Sequence, residues 1–394
     1  METPQGFYAG ACHCGIRKNQ TKNDVALIYS SVPCQVGAVY TKNVVKADPL
    51  LLNKETLKNH EAQAVIVNSG NANACALHGM ENAIREQKAA AKFLDIAPDQ
   101  VLVASTGVIG VELPVECIEE NLSSLQLGTT IEEAANAIMT TDTTEKIAEA
   151  TVVLDGKSVR ILGICKGSGM IHPNMGTMLA FILTDCAIDH TLLQKALLDN
   201  TNQTFNRVSV DGDTSTNDMC LVMANGLAGN PTIVKEDESF VLFQQALKTV
   251  MESLAVQIAK DGEGASRLIT CRVKEAKEED QAETLAKAVV SSSLCKAAMF
   301  GHDANWGRVL CAMGYSGAEF DPALVDVAFA SACGCVKVCA QGKGVPFSEE
   351  LAAAILSEDE IDIEINLHEG NAECTCWGCD LTYDYVKING DYRT

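Results

Sequence analysis

Two short, strongly apolar runs, residues 159–165 and 177–185, flank a turn that carries glycine at 167, 169 and 176, with Pro173 and Asn174 inside it. Runs of this length are candidates for buried strands. The three glycines give their connection unusual backbone freedom. A chain built on such a pair forms its core around a sheet.

Short strands alternate with amphipathic stretches over the rest of the chain. Residues 64–68 and 101–105 read as buried strands ending in Gly, Asn and Thr turns. Between them, residues 81–94 set apolar side chains at helical spacing with charges opposite. Residues 191–206, 239–260 and 281–299 read as further helices, and 361–367 alternates apolar and polar residues as a half-buried strand does. This pattern predicts an α/β fold of enzyme size without ordering the strands. No repeat, heptad run or linker divides the 394 residues, enough for two or three domain-sized units.

Composition narrows the function classes. Acidic residues outnumber basic ones 52 to 30, a formal charge of −22 that repels a phosphate backbone, so nucleic acid is excluded as a partner. The longest strongly apolar run, Met178 to Leu183, is far short of the ~20 residues that span a bilayer. The opening Met-Glu-Thr-Pro-Gln-Gly has no basic stretch leading into an apolar one. A soluble, cytoplasmic protein is expected. The seventeen cysteines are too sparse, and odd in number, for a disulfide scaffold; in a reducing compartment they act as small buried apolar residues. Cys333, Cys335 and Cys339, and Cys374, Cys376 and Cys379, cluster without the paired spacing or four ligands of a structural zinc site, so no metal is assigned.

Chemistry concentrates in Lys166-Gly-Ser-Gly-Met-Ile-His-Pro-Asn-Met-Gly-Thr-Met-Leu-Ala-Phe-Ile-Leu-Thr-Asp185. Gly176 has no Cβ, so the Gly176–Thr177 bond can adopt a strained geometry that favours attack of the Thr177 hydroxyl on the Gly176 carbonyl. Hydrolysis of the ester would leave Thr177 as a new amino terminus. Its α-amine, with a reference pKa of about 7.7–8.0, is a usable base for its own hydroxyl near neutral pH. The same letters also suit a glycine-rich loop joining two core strands. No phosphate loop, G-x-S-x-G elbow or H-E-x-x-H motif is present. Asp211, Asp213 and Asp218 lack the glycine and glutamate of a calcium loop, since Thr216 and Val222 stand there, and read as turn-holding acids. His172 and His302 have no evident Ser or Cys partner and read as structural imidazoles.

The 166–185 segment resembles the catalytic signature of the ornithine acetyltransferases, or glutamate N-acetyltransferases, of arginine biosynthesis. Further stretches follow in that family's order: Gly6-Phe-Tyr-Ala-Gly10, Val67-Asn-Ser-Gly-Asn-Ala-Asn-Ala74, Ser105-Thr-Gly-Val-Ile-Gly110, Met139-Thr-Thr-Asp-Thr143, Asp211-Gly-Asp-Thr-Ser-Thr-Asn-Asp218, Asp261-Gly-Glu-Gly264, Phe300-Gly-His-Asp-Ala-Asn-Trp-Gly-Arg308, Trp377-Gly-Cys-Asp-Leu-Thr382 and the tail from Tyr385. The resemblance spans essentially the whole chain. It implies a layered α/β/β/α sandwich with a smaller C-terminal α/β domain, and a precursor that cuts itself between Gly176 and Thr177 into chains 1–176 and 177–394, assembled as an α₂β₂ heterotetramer.

By that resemblance Thr177 is the nucleophile, Thr106 and Gly107 form the oxyanion hole, and Thr140, Lys166, Thr177, Glu263, Asn389 and Thr394 bind substrate. The implied reaction moves acetyl from N2-acetyl-L-ornithine to L-glutamate through an acetyl-threonine ester. No cofactor is implied; acetyl-CoA enters only as a second acetyl donor that some members use. Two departures stand out: Gly176 replaces the family's usual alanine, and Cys374 and Cys376 replace residues that are generally not cysteine. Two rival readings remain at this point, a self-processing aminopeptidase or N-acyl-amino-acid hydrolase, and a non-catalytic cysteine-rich metal or amino-acid binding protein.

Overall fold

Residues 25–40 form one bent strand that serves two sheet layers, and the fold is organised around it. A computed structural model describes residues 1–17, 19, 21–172 and 178–391. In chain order the first elements are β1 (Phe7–Cys12), β2 (Val25–Tyr40), α1 (Asp48–Thr56), β3 (Glu61–Asn71), α2 (Gly79–Leu94), β4 (Val101–Val108), α3 (Val115–Asn121) and α4 (Glu132–Ala137). Next come β5 (Lys146–Leu154), β6 (Lys157–Lys166), β7 (Leu179–Thr184), α5 (His190–Gln203), β8 (Val208–Ser209), β9 (Met219–Ala224) and α6 (Glu238–Lys260). The remainder comprises β10 (Leu268–Ala276), α7 (Glu279–Ser291), α8 (Ser293–Phe300), α9 (Trp306–Gly314), β11 (Asp326–Ser331), β12 (Gly334–Ala340), β13 (Lys343–Gly344), α10 (Glu349–Leu356), β14 (Glu360–Asn366), β15 (Ala372–Cys379) and α11 (Tyr383–Asp391).

The first half of β2 pairs with β1 and β3, and its second half, from Gln35 to Tyr40, pairs with β9. The register slips between Tyr29 and Cys34, where the strand turns from one layer into the other. The sheet runs β4-β3-β2-β9-β7-β6-β5, with β1 beside β2. One apolar core joins inward residues of both layers: Phe7, Ile28, Val65 and Leu102 from one, and Leu162, Phe181, Leu221 and Met223 from the other. Helices α2 and α3 cover the outer face of the first layer through Ala90, Ala91, Val115 and Ile118. Helices α5 and α6 cover the second, and α6 lays down Phe240, Phe243, Leu247, Val250, Leu254 and Ile258 at helical spacing. Gly163 of β6 makes room for this packing, since a Cβ there would stand 2.8 Å from Leu254 and 2.9 Å from Val250. The expected α/β/β/α layering is therefore borne out.

A second sheet, ordered β13-β12-β11-β14-β10-β15-β8, has its own core with α7, α8, α9 and α10. Cys374 and Cys376 face that core from β15, while Cys379 enters the core under α6. Cys333 and Cys335 are exposed and Cys339 is buried, so that cluster diverges. Most cysteines are small packing residues, as the sequence indicates. Residues 281–299 are not one helix. The chain breaks at Ser292, whose hydroxyl accepts from the Cys295 N–H and starts α8. Among the described residues no helix is long and apolar enough to cross a membrane.

The outer layer carries one costly group. Glu86 of α2 is fully buried, and among the described residues neither carboxylate oxygen has a hydrogen-bond partner. Burial pushes its pKa well above the ordinary carboxylate range. The native state thus keeps this proton to higher pH than the unfolded chain does. Stability is highest below the unfolded-state pKa and falls as pH rises through the native one. Glu86→Gln is expected to stabilise the protein by about 1–3 kcal/mol at pH 8, with the gain shrinking toward nothing near pH 4. Urea unfolding of both proteins at the two pH values measures it, and a gain independent of pH would refute the assignment.

Candidate active site

Several strand ends meet at one end of the sandwich. Lys166 at the end of β6 pairs with Leu179, Leu179 with Met219, and Met219 with Tyr40 at the end of β2. The parallel strands β3 and β4 end beside them. Asn217, just ahead of β9, ties the three together by donating to the Ala72 and Ser105 carbonyls at 2.6 and 2.8 Å.

Thr106 and Gly107 lie near the end of β4, paired with Ser69 and Gly70 of β3. Gly107 has φ +138°, and a Cβ there would stand 2.3 Å from the Gly70 carbonyl carbon and 2.5 Å from the Asn71 nitrogen. Only glycine lets β4 lie this close to β3. The Lys166 Nζ, almost fully buried, is 3.5 Å from the Thr106 Oγ1. Lysine has no acceptor, so it donates, which leaves the threonine proton free for another partner. Glu263 follows α6, with its N–H on the Ser168 carbonyl at 2.9 Å and its carboxylate taking the Asn389 amide of α11 at 2.7 Å. Gly169 clears the space, because a Cβ there would fall 2.2 Å from the Glu263 carboxyl carbon. Thr140 lies after α4 with its N–H on Asp142 at 3.0 Å.

Thr106, Gly107, Thr140, Lys166, Glu263 and Asn389 all line one open cavity of about 630 Å³. An adjoining recess shares Thr106 and Lys166 and reaches Met178 and Leu179. Thus six of the nominated residues, spread from 106 to 389, converge. Gly176, Thr177 and Thr394 lie outside the described residues. The described residues on either side of 173–177, Met170, Ile171 and Met178, are bonded to the 210–219 segment. Val210 donates to the Ile171 carbonyl at 2.7 Å, Asp211 accepts from the Met170 and Ile171 N–H groups at 2.6 and 2.8 Å, and Met219 donates to the Met178 carbonyl at 2.8 Å. Asp211 also accepts from the Asp213 N–H at 3.3 Å, the turn-holding role the sequence indicates.

The electrostatics set a cation against an anion. Burial lowers the Lys166 pKa against the opposing pull of Asp142. Burial alone would raise Asp142, but Lys166, Lys146 and the Gly167 N–H hold it well below the usual carboxylate range. The sequence missed this Asp142–Lys146 pair, although Asp142 sits inside a quoted segment. It also missed a partner for His172, whose Nδ1 is 3.0 Å from the Ser209 Oγ. Ser209 is fully buried and burial lowers His172 to about 4, so the pair is structural rather than nucleophilic. His302 binds Arg267 and Ser357, away from the cavity.

A model of the ArgJ family matches residues 8–394. The chain is 49% identical over 398 residues to the arginine biosynthesis bifunctional protein ArgJ of Caldanaerobacter subterraneus subsp. tengcongensis, covering all of this chain and 98% of that one. It is 50% identical over 399 residues to the protein of the same name in Symbiobacterium thermophilum, with the same coverage. A solved chain of the Bacillus halodurans ArgJ protein aligns at 49% identity with a TM-score of 0.51, over 54% of this chain and 98% of that one. With a match from residue 8 to the last residue and relatives near half identity along their full length, the chain belongs to the ArgJ family.

Proposed function

We propose that this chain transfers acetyl from N2-acetyl-L-ornithine to L-glutamate in arginine biosynthesis, with Thr177 as the carrier. Self-cleavage ahead of Thr177 would give chains of 176 and 218 residues. The Bacillus halodurans chain, matched nearly end to end by about half of this one, has the length expected of one such product. The observation that carries the reading is the convergence of six nominated residues on one cavity holding a buried ammonium and a buried carboxylate. A zwitterionic amino acid needs that pair.

The steps follow from the groups present. The Thr177 Oγ attacks the acetyl carbonyl carbon while its own α-amine takes the hydroxyl proton. Negative charge on the carbonyl oxygen is met by the Thr106 hydroxyl and the Gly107 N–H. The C–N bond breaks, the proton passes to the departing α-amine, and ornithine leaves an acetyl ester on Thr177. The glutamate amine then attacks the ester, the C–O bond breaks, and the threonine proton is restored. Lys166 takes the α-carboxylate of either amino acid, and Glu263 takes the ornithine side-chain ammonium. Thr140 and Asn389 line the same pocket, and Thr394 is assigned a substrate contact from the resemblance alone.

The relatives are named bifunctional, and we extend this to acetyl-CoA as a second donor to the same threonine. An α₂β₂ assembly working on metabolites of the cytoplasm fits the reading. Incubation with N2-[¹⁴C]acetylornithine tests it: label is expected in N-acetylglutamate, and only when glutamate is supplied. Acetate released at the same rate without glutamate would favour a hydrolase. Thiol release from acetyl-CoA, dependent on glutamate, tests the second donor.

A further inference from the structure

Asp142 has almost no exposed surface, yet its carboxylate engages four polar groups beside the cavity. Its Oδ1 accepts from the Lys146 Nζ at 2.8 Å and from the Gly167 N–H at 2.7 Å. Its Oδ2 accepts from the Thr140 N–H at 3.0 Å and lies 3.9 Å from the Lys166 Nζ. Lys146, at 1% exposure, reaches on to Asp261 at 2.5 Å. Asp261 in turn holds the Thr143 N–H at 3.0 Å, and its carbonyl accepts from the Ser168 hydroxyl at 2.7 Å.

We infer that Asp142 is a positioning residue for the reaction: its carboxylate holds the Lys166 ammonium beside Thr106 and fixes both loops, 140–143 and 167–169, that wall the substrate cavity. Lys146 braces it, balancing a second negative charge and tying the 261–263 turn, and so Glu263, to the same anchor. The inference rests on reading Lys166 as the group that takes the substrate carboxylate.

A buried ion pair is weak evidence for stability, and one partner removed leaves the other uncompensated. Here the pair has a specific consequence for titration. Lys166 faces Asp142 from the loop after α4, Lys146 from β5, Glu263 from the turn after α6, Asp218 from the end of the 211–218 segment, and the neutral thiol of Cys165 from its own strand. Asp142, Glu263 and Asp218 favour its charged form, while burial and Lys146 oppose it. Only charged Lys166 binds a carboxylate, so its loss of a proton sets an alkaline limb on kcat/KM.

In Asp142→Asn that limb is expected to move to lower pH by about one unit or more, with KM for acetylornithine raised and kcat/KM down about 10²-fold. In Lys146→Met the limb is expected to move the opposite way, to higher pH. Loss of fold alone would lower activity without moving the limb in either direction. The experiment is the kcat/KM profile of the mature protein for both variants, with thermal unfolding recorded alongside. Should Asp142→Asn not fold, the direction of the Lys146→Met limb decides, and a limb unmoved or moved downward overturns the inference. Lys166→Met separates the two readings. If it abolishes the limb while Asp142→Asn and Lys146→Met leave the limb in place, the positioning role fails and the Lys166 assignment stands. If Lys166→Met keeps the limb, the assignment fails and takes the inference with it.

Discussion

Thr177→Ala is expected to run as a single band of 394 residues on a denaturing gel, where the wild type is expected to give two, and to lose acetyl transfer by about 10⁴-fold or more. The proposed cut and the proposed transfer use the same hydroxyl, so one atom removed should stop both. Cleavage fails because nothing attacks the Gly176 carbonyl. Transfer fails because there is neither a hydroxyl to take the acetyl group nor a freed amine to act as its base. The substitution should not disturb folding. Both flanks are pinned independently of residue 177, at Ile171 by Val210 and at Met178 by Met219. Thr177→Ser keeps a hydroxyl and is expected to cleave and retain measurable turnover. Gly176→Ala introduces the alanine that the resemblance implies at this position and is expected to cleave as well. Two bands from Thr177→Ala would show that another residue performs the cut, and the acetyl-threonine mechanism would go with it.

The layered fold was legible where local pattern and tertiary role coincide. The strands at 64–68, 101–105 and 159–165, and the helices at 81–94 and 239–260, lie inside observed elements, and the strand at 361–367 overruns β14 by one residue, because each buries a face with its own period. Strand β2 was not legible. Its alternation breaks where Ser30, Ser31 and Pro33 carry the chain from one layer to the next, and no periodicity spans that bend. Ser292 was missed because a serine inside a helical pattern looks tolerable until its hydroxyl caps the helix that follows. At the site, resemblance named residues that touch the cavity, and six of them do. The brace behind them was hidden for a physical reason. Lys146 and Asp261 are 115 positions apart, and a charge pair made through the fold leaves no periodic trace in either neighbourhood.

Gly107→Ala carries the second large effect, and its cause is backbone rather than side chain. At φ +138° an L-residue is strained whatever space surrounds it, which costs about 1–3 kcal/mol. Here there is no space either. The new methyl would lie within 2.7 Å of three Gly70 and Asn71 backbone atoms, so β4 must move away from β3 at the point where Thr106 meets Lys166. Both proposed oxyanion donors then shift together. Loss of a single donor, as in Thr106→Ala, is expected to lower kcat by about 10²–10³-fold. Gly107→Ala should exceed that, because it displaces the Thr106 hydroxyl as well as its own N–H, while the sandwich core, held by both layers and their helices, keeps its far-ultraviolet circular dichroism. Thr106→Ser, which retains the hydroxyl and its lysine donor, should stay within about tenfold of wild type. The discriminating quantity is kcat at saturating acetylornithine. A Gly107→Ala enzyme that turns over within a few-fold of wild type would mean that the end of β4 does not meet the developing charge, since no arrangement of a methyl group at that position leaves the present backbone intact.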